Sequence, residues 1–217
     1  MNESIIVVNP NSTEAVTAGM REAVASLALS GGPGIECVTL AEGPPGVESQ
    51  ADADTVIPHI LRYVETRNAE AAAFVIACYS DPGLHAAREA AACPVFGIAE
   101  CALMTALTRG SEIGVISILA RSVPRHMRYA RSLGIAPRIA GDLPIELKVS
   151  ELADDARVLA RMTEVGRTLK EARGADVLVM GCAGMARFQR RLEDALGLPV
   201  VEPTRAAVAM AIGTVAA

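Results

Sequence analysis

The hydrophobic residues of this chain fall into short runs that alternate with longer segments of mixed polarity. Most of these runs are rich in valine and isoleucine and would be apolar on both faces of an extended chain. Strands of this kind are typical of parallel sheets that helices cover on two sides. The predicted strands lie at residues 5–8, 36–40, 74–77, 95–98, 113–118, 138–140, 177–181 and 200–201.

Two of the intervening segments show the period of an amphipathic helix, with apolar residues recurring every three to four positions. The first stripe consists of Val56, Ile57, Ile60, Leu61 and Val64, and the second of Leu159, Met162, Val165 and Leu169. Strands that alternate with helices predict an α/β fold with a parallel sheet.

The two halves of the chain resemble each other. The first predicted strand and its helix correspond to the fifth strand and its helix, and the third strand corresponds to the seventh. The third and seventh strands end next to Cys78 and Cys182, and each cysteine is followed by a helical segment, a Pro-Val strand start and an acidic residue. We therefore predict two similar α/β domains, residues 1–101 and 102–205, that face each other across a cleft.

Composition and charge exclude several classes of protein. With 51% hydrophobic residues among 217, the chain is not disordered. A net charge of −5, no basic run and only 3% aromatic residues argue against nucleic acid as a partner. The longest weakly polar stretch, residues 206–217, is shorter than the about 20 residues that a membrane span needs. Because the first residues lack the pattern of a signal peptide, we expect a soluble cytoplasmic protein.

The cysteine and histidine patterns favour neither a disulfide framework nor a metal site. The five cysteines are odd in number without C-x-x-C spacing, and the histidines form no H-x-x-x-H pair. Three cysteines are interpreted as packing residues: Cys37, Cys93 and Cys101. The histidines are expected at surface or partly covered positions: His59, His85 and His126. The basic segment from Arg121 to Arg131 is predicted to be a solvated helix face.

Ligands of parallel α/β sheets bind beyond the carboxyl ends of the strands. Four segments of this chain are predicted there: residues 9–13, 78–81, 117–118 and 182–184. In the first, Asn11 with Glu14 resembles a helix-capping arrangement, and amides exposed there would alternatively hold a carbonyl or carboxylate group. No G-x-G-x-x-G or G-x-x-x-x-G-K-[ST] follows this strand, so we do not expect a dinucleotide or nucleoside triphosphate.

Cys78 and Cys182 have different local settings. After Cys78, Asp81 and Pro82 are predicted to begin a helix, whose dipole would lower the pKa of the thiol below its free value of about 8.5. Cys182 lies in a Gly-Cys-Ala-Gly segment, in which glycine lets a substrate approach the backbone. Either cysteine alone would be interpreted as a small core residue. Whether Glu100 acts as an acid or base stays an open question at this point.

The two cysteines are more informative as a pair. Thiols at equivalent strand ends in facing halves would approach one ligand from opposite sides. This geometry removes a proton from one face of a carbon and returns one to the other, with a thiolate as base and a thiol as acid. The roles exchange for the opposite enantiomer. The proton must be acidified by an adjacent carbonyl, whose developing oxyanion needs hydrogen-bond donors.

Three motifs together resemble a known family. They are Val-Val-Asn-Pro-Asn-Ser-Thr at 7–13, Ile-Ala-Cys-Tyr-Ser-Asp-Pro-Gly-Leu at 76–84 and Gly-Cys-Ala-Gly-Met at 181–185, with shorter matches at 87–89, 94–98 and 198–202. Their order and spacing resemble the hydantoin/allantoin racemase branch of the aspartate/glutamate racemase superfamily. The resemblance implies two pseudo-symmetric Rossmann-like α/β domains, each with a four-stranded parallel sheet, and an active site in the cleft between them.

The resemblance also implies a cofactor-independent racemase that acts on a small-molecule substrate and forms a homo-oligomer. Its catalytic residues would be Cys78 and Cys182, and its C-terminal helix, residues 206–217, would pack on the first domain. The substrate-binding residues that it implies are Asn11, Ser12, Tyr79, Ser80, Ser117, Ile118, Ala183 and Gly184.

Two departures from the family pattern bear on which substrate the pocket accepts rather than on the reaction. Many relatives have Phe-Gly or Phe-Asp after the first cysteine, whereas this chain has Tyr79 and Ser80. Relatives often carry two threonines where this chain has Ser117 and Ile118. The pocket therefore gains a hydroxyl group at one position and loses one at another.

Three hypotheses of function follow. In the first, the chain racemises a small cyclic ureide, either a 5-substituted hydantoin or allantoin, through Cys78 and Cys182. In the second, the same fold hosts an arylmalonate decarboxylase or a maleate-isomerase-like enzyme, the latter with a cysteine as covalent nucleophile. In the third, both thiols only pack, and the cleft belongs to a non-enzymatic small-molecule binding protein. Binding alone does not require two matched cysteines, which makes the third hypothesis the least favoured.

Overall fold

The computed structural model describes residues 4–216, in which eight strands alternate with eight α-helices. The first half contains β1 (Ser4–Asn9), α1 (Glu14–Val24), β2 (Gly34–Thr39), α2 (Gln50–Arg67), β3 (Ala71–Ile76), α3 (Leu84–Ala90), β4 (Val95–Gly97) and α4 (Ile98–Leu107). The second half contains β5 (Ile113–Ser117), α5 (Val123–Ser132), β6 (Ile139–Pro144), α6 (Asp155–Arg173), β7 (Val177–Met180), α7 (Gln189–Leu196), β8 (Val200–Val201) and α8 (Pro203–Val215).

The strands form two four-stranded parallel sheets, with the orders β2-β1-β3-β4 and β6-β5-β7-β8. The same order in both halves confirms the predicted pair of pseudo-symmetric α/β sheets. Cys78 follows β3 and Cys182 follows β7, so the two cysteines occupy equivalent positions at the carboxyl ends of central strands.

All eight predicted strands are present, and their bounds differ most from the prediction at β3 and β6. β3 begins at Ala71 because its small alanine side chains continue the parallel pairing with β1. β6 extends to Pro144, beyond the predicted end at residue 140, although Gly141 and Asp142 interrupt its apolar run. As an edge strand it pairs only with β5, and its residues are half-buried, so an uninterrupted apolar pattern is not required.

Two hydrophobic cores stabilise the fold. The larger combines buried side chains from both halves and therefore holds the halves together. The smaller contains apolar residues of β1 and β3 that pack against α2 and α3. Within the predicted stripe of α2, Val56, Ile60 and Val64 are fully buried, whereas Ile57 and Leu61 are half-buried. Each fully buried aliphatic side chain contributes about 1.5–3 kcal/mol.

The last helix of each half crosses to the other half. α8 packs against α4, α1 and β3, and α4 packs against β7. Nη1 of Arg205 in α8 donates hydrogen bonds to the carbonyl oxygen of Ala23 and to Oγ of Ser26. α8 begins three residues before the predicted position 206, and the last predicted residue, 217, lies outside the described residues. The division predicted between residues 101 and 102 falls inside α4.

Asp81 caps a different helix from the one predicted. α3 begins only at Leu84, after Gly83 has turned the chain with a φ of 68°. Asp81 itself has a φ of 44° and is buried, and its carboxylate accepts hydrogen bonds at 2.9 Å from the backbone N–H groups of Ala99 and Glu100. The prediction that Asp81 caps the helix after Cys78 is therefore wrong, because the left-handed residues in between redirect the chain and the carboxylate reaches the start of α4.

Loss of this cap should lower the stability of the protein. We expect Asp81→Ala to reduce the free energy of unfolding by about 2 kcal/mol, since it removes the cap and places alanine at a positive φ. Asp81→Asn is the matched control, because asparagine tolerates the left-handed conformation and keeps one acceptor. Urea unfolding measures both variants. An alanine variant as stable as the wild type would contradict this role.

The acidic residues after β4 and β8 have structural roles. Glu202 is buried and accepts hydrogen bonds from the N–H groups of Thr204 (3.0 Å) and Arg205 (2.6 Å), so it caps α8. Glu100 forms an ion pair with Arg88 at 2.7 Å. Throughout residues 4–216, no helix has both the length and the apolar character needed to cross a membrane.

Candidate active site

A cleft lies where the carboxyl ends of β1, β3, β5 and β7 approach one another. The empty space within it, counting the part open to solvent at its mouth, is about 400 Å³. All four predicted segments contribute to its wall. Among the residues predicted for the site, those that line the cleft are Asn11, Cys78, Tyr79, Ser80, Ile118, Cys182, Ala183 and Gly184.

Two of the predicted substrate-binding residues, Ser12 and Ser117, do not line the cleft. The backbone N–H of Ser12 donates to the carbonyl oxygen of Pro44 at 3.0 Å and holds the loop after β1 against the loop after β2. Ser117 is fully buried, and its hydroxyl group donates a hydrogen bond to the carboxylate of Asp142. Ser117 therefore lies behind the wall of the cleft.

Cys78 and Cys182 both line the cleft as half-buried free thiols. Burial raises the pKa of Cys78 to about 12, against the opposing effect of the Arg125 guanidinium and of a hydrogen bond from Ser80. Burial likewise raises the pKa of Cys182 to about 11, against the opposing effect of a hydrogen bond from the Gly184 N–H. Each sulfur thus has a donor positioned to stabilise its thiolate.

The expectation that Cys78 ionises below its free pKa is wrong. The expectation assumed a helix N-terminus directly after the thiol, but α3 begins six residues later. Desolvation of the thiolate is therefore the largest effect on the pKa of Cys78, and it favours the neutral thiol.

The loop after β1 presents a hydrogen-bond donor to the cleft. Nδ2 of Asn9 donates to Oδ1 of Asn11 (3.1 Å) and to Oγ1 of Thr17 (2.9 Å), and the N–H of Thr13 donates to the same Oδ1 of Asn11 (2.9 Å). These contacts occupy the acceptor of Asn11 and leave its Nδ2 group for a carbonyl oxygen in the cleft. Asn11 therefore organises the loop, whereas the N-cap of α1 is Thr13.

His126 is buried beside the cleft, which corrects the prediction of a surface or partly covered position. Nδ1 of its imidazole is 2.9 Å from Oδ2 of Asp142 and 3.1 Å from Oγ of Ser117. The Tyr79 ring contacts the imidazole edge to face, with 5.0 Å between ring centroids. Tyr79 and His126 both line the cleft, so this buried cluster supports one of its walls.

Arg125 is buried, which corrects the prediction that it belongs to a solvated helix face. Only 8% of its surface is exposed, and it lines the cleft with the two cysteines. Its Nε donates to Oγ of Ser80 at 2.7 Å, and burial lowers the pKa of its guanidinium. The neighbouring Arg121 and Arg128 are exposed, as predicted.

A family model described as Asp/Glu/Hydantoin racemase matches residues 5–211. The chain belongs to this family. Membership of the Asp/Glu/hydantoin racemase family makes the protein an isomerase of the racemase type.

Relatives of this racemase family match almost the whole chain. Hydantoin racemase from Rhizobium meliloti is 35% identical over 220 residues, which cover 95% of this chain and 86% of that protein. Hydantoin racemase from Paenarthrobacter aurescens is 34% identical over 216 residues, which cover 98% of this chain and 91% of that protein. The solved allantoin racemase from Klebsiella pneumoniae is 32% identical, has a TM-score of 0.90, and is matched over 99% of this chain and 88% of that chain.

The other cysteines of this racemase-family chain lie away from the cleft. Cys37 and Cys101 are buried, and burial raises the pKa of the first to about 11 and of the second to about 12. Cys93 is half-buried and packs beside the smaller core. Among residues 4–216, no group of three or more histidine, cysteine, aspartate or glutamate side chains is arranged to hold a metal ion.

Proposed function

We propose that the protein is a cofactor-independent racemase of a small cyclic ureide, a 5-substituted hydantoin or allantoin, and that Cys78 and Cys182 transfer the proton. The observation that carries the proposal is that two cysteines from equivalent strand ends line one small cleft. Similarity to hydantoin and allantoin racemases along nearly the whole chain supports the substrate class.

The reaction requires one cysteine as thiolate and the other as thiol. The thiolate takes the proton from C5 of the ring, and the electron pair of the broken C–H bond moves onto the adjacent carbonyl oxygen. The second thiol then protonates C5 from the opposite face as the enolate collapses. One thiolate and one thiol remain with exchanged roles, so protons and charge balance.

Hydrogen-bond donors in the cleft stabilise the charges that develop. Nδ2 of Asn11 is free to donate to the enolate oxygen. The Ser80 hydroxyl group and the Gly184 N–H donate to the sulfur atoms of Cys78 and Cys182 respectively. Each cysteine therefore has a hydrogen-bond donor that stabilises its thiolate when it acts as the base.

A substrate panel tests the proposed function. Enantiopure 5-substituted hydantoins, allantoin, free aspartate and free glutamate are incubated with the protein in the presence of a chelator, and loss of circular dichroism is followed against an enzyme-free control. We expect at least one cyclic ureide to racemise well above the control rate. Racemisation of free amino acids alone would overturn the substrate class.

The same panel separates the competing functions. It includes a disubstituted malonate and maleate, whose decarboxylation or cis-trans conversion would show a different reaction in the same cleft. Binding of a ureide without any turnover would identify a binding protein instead. Either result would contradict the proposed racemase.

A further inference from the structure

Arg125, which lines the cleft, has an unused hydrogen-bond donor. Its Nε is occupied by the Ser80 hydroxyl group at 2.7 Å. Nη1 is buried, and no group within residues 4–216 accepts a hydrogen bond from it. A buried N–H group without an acceptor costs about 1–3 kcal/mol, and more when it carries charge. The guanidinium therefore has an unsatisfied edge in the wall that also contains Cys78.

No carboxylate in the described part of the chain forms an ion pair with Arg125, although the charge of Asp52 acts on it from a distance. Among its helical neighbours, Arg121 forms an ion pair with Glu48 at 2.6 Å, and Arg128 donates to Gln50 at 2.8 Å. Arg125 forms no ion pair within residues 4–216 although it is more than nine-tenths buried. An arginine stays protonated in such a setting, so a guanidinium charge without an ion-pair partner lines this side of the cleft.

The two edges of the guanidinium have separate partners available. Nε of Arg125 donates to the Ser80 hydroxyl group, which hydrogen-bonds the sulfur of Cys78, and the guanidinium charge separately opposes the rise in the thiol pKa. That link does not use Nη1. A planar carboxylate matches the remaining N–H groups in both charge and geometry, whereas a neutral alkyl group would leave Nη1 unsatisfied.

We propose that Arg125 binds a carboxylate on the C5 substituent, so that this chain prefers hydantoins with a short carboxyalkyl side chain over neutral ones. The inference rests on the proposed function, since it assumes that the ring lies between the two cysteines. Arg125 and Cys78 line the same small cleft and interact electrostatically, so the arm that joins the carboxylate to C5 is short. Arg125 is then a specificity-determining residue.

The preference is measured with two hydantoins of nearly equal shape. The probes are 5-(carboxymethyl)hydantoin and the neutral 5-(carbamoylmethyl)hydantoin, each as a single enantiomer. We expect kcat/KM of the wild type to be about 10- to 100-fold higher for the acid, as a charge-assisted hydrogen bond to arginine predicts. Equal values, or a preference for the amide, would overturn the inference while leaving the racemase function in place.

Variants of Arg125 test whether this residue causes the preference for the acid. Arg125→Gln should lower kcat for both probes, because it removes a charge that opposes the rise in the pKa of Cys78, and should in addition raise KM for the acid alone by about 10- to 100-fold, whereas Arg125→Lys should retain part of the preference. A fall in kcat for both probes that leaves the acid-to-amide ratio of kcat/KM unchanged would show that Arg125 acts only on Cys78, and this result would overturn the inference. Circular dichroism checks that the variants fold.

A second measurement uses only the wild type and so does not depend on the folding of a variant. The acid should protect Cys78 from alkylation at a concentration about tenfold or more below that at which the amide protects. Equal protection would contradict the inference. If no hydantoin is racemised at all, the proposed function itself fails, and the inference fails with it.

Discussion

Replacing either Cys78 or Cys182 with alanine should lower the rate of racemisation by about 10²- to 10⁴-fold, the range for loss of a general acid or base. Each cysteine serves as the base for one enantiomer and as the acid for the other, so both directions of the reaction should be slowed. The double variant should be little slower than either single variant, because the two thiols act as one unit. Loss of circular dichroism from an enantiopure substrate measures these rates.

Cys93→Ala is the matched control for these variants. Cys93 is half-buried like the two candidate catalytic cysteines but lies outside the cleft, so its replacement should leave the rate within a few fold of the wild type. Thermal unfolding shows whether each variant retains the fold. Full activity in either single variant of the cleft cysteines would refute the two-thiol mechanism.

Alkylation of Cys78 by iodoacetamide should be slow at neutral pH and should continue to accelerate into alkaline solution. Burial raises the pKa of this thiol to about 12, and the raised pKa favours the neutral thiol. The thiolate fraction at pH 7 is then roughly a thousandfold smaller than that of an ordinary cysteine. The rate should rise about tenfold per pH unit from about pH 7 to about pH 10.

Mass spectrometry of the alkylated peptides follows Cys78 and Cys182 separately, with a small free thiol as the reference. The reference rate levels off above its own pKa, whereas the rates of the two cleft thiols should still increase. A Cys78 rate that reaches its plateau below about pH 8 would contradict the raised pKa and would mean that the thiolate predominates near neutral pH.

The fold could be predicted from the sequence because buried parallel strands leave a local signal. Runs such as the one in β1 are apolar on both faces, and each is followed by a helical segment. β6 was the exception, since an edge strand tolerates a polar residue such as Asp142 that breaks the run. The crossed packing of α4 and α8 depends on contacts between the two halves, for which the residues alone carry no local pattern.

The candidate site could be predicted only at positions where the two similar halves of the sequence have equivalent residues. Cys78 and Cys182 were recognisable because matched strands end at both. Arg125 and His126 lie in a short basic helix, and nothing in its local pattern indicates that two adjacent polar side chains turn inward. Their burial depends on distant partners, Ser80 for the arginine and Asp142 for the histidine. The capping role of Asp81 was missed for the same reason, since the N–H groups that it binds lie 18 and 19 residues further along the chain.

The position of deuterium at early conversion tests most directly whether two thiols act on opposite faces of one carbon. A single enantiomer of a racemised ureide is incubated in D₂O, the reaction is stopped after a few per cent of conversion, and both enantiomers are analysed by chiral separation and mass spectrometry. The Cys78→Ala/Cys182→Ala double variant gives the background exchange. If two thiols act on opposite faces, deuterium is expected at C5 of the newly formed enantiomer and protium in the unreacted one. Deuterium that enters the unreacted enantiomer as fast as the new one would show that a single group exchanges the proton on one face, and would contradict the account.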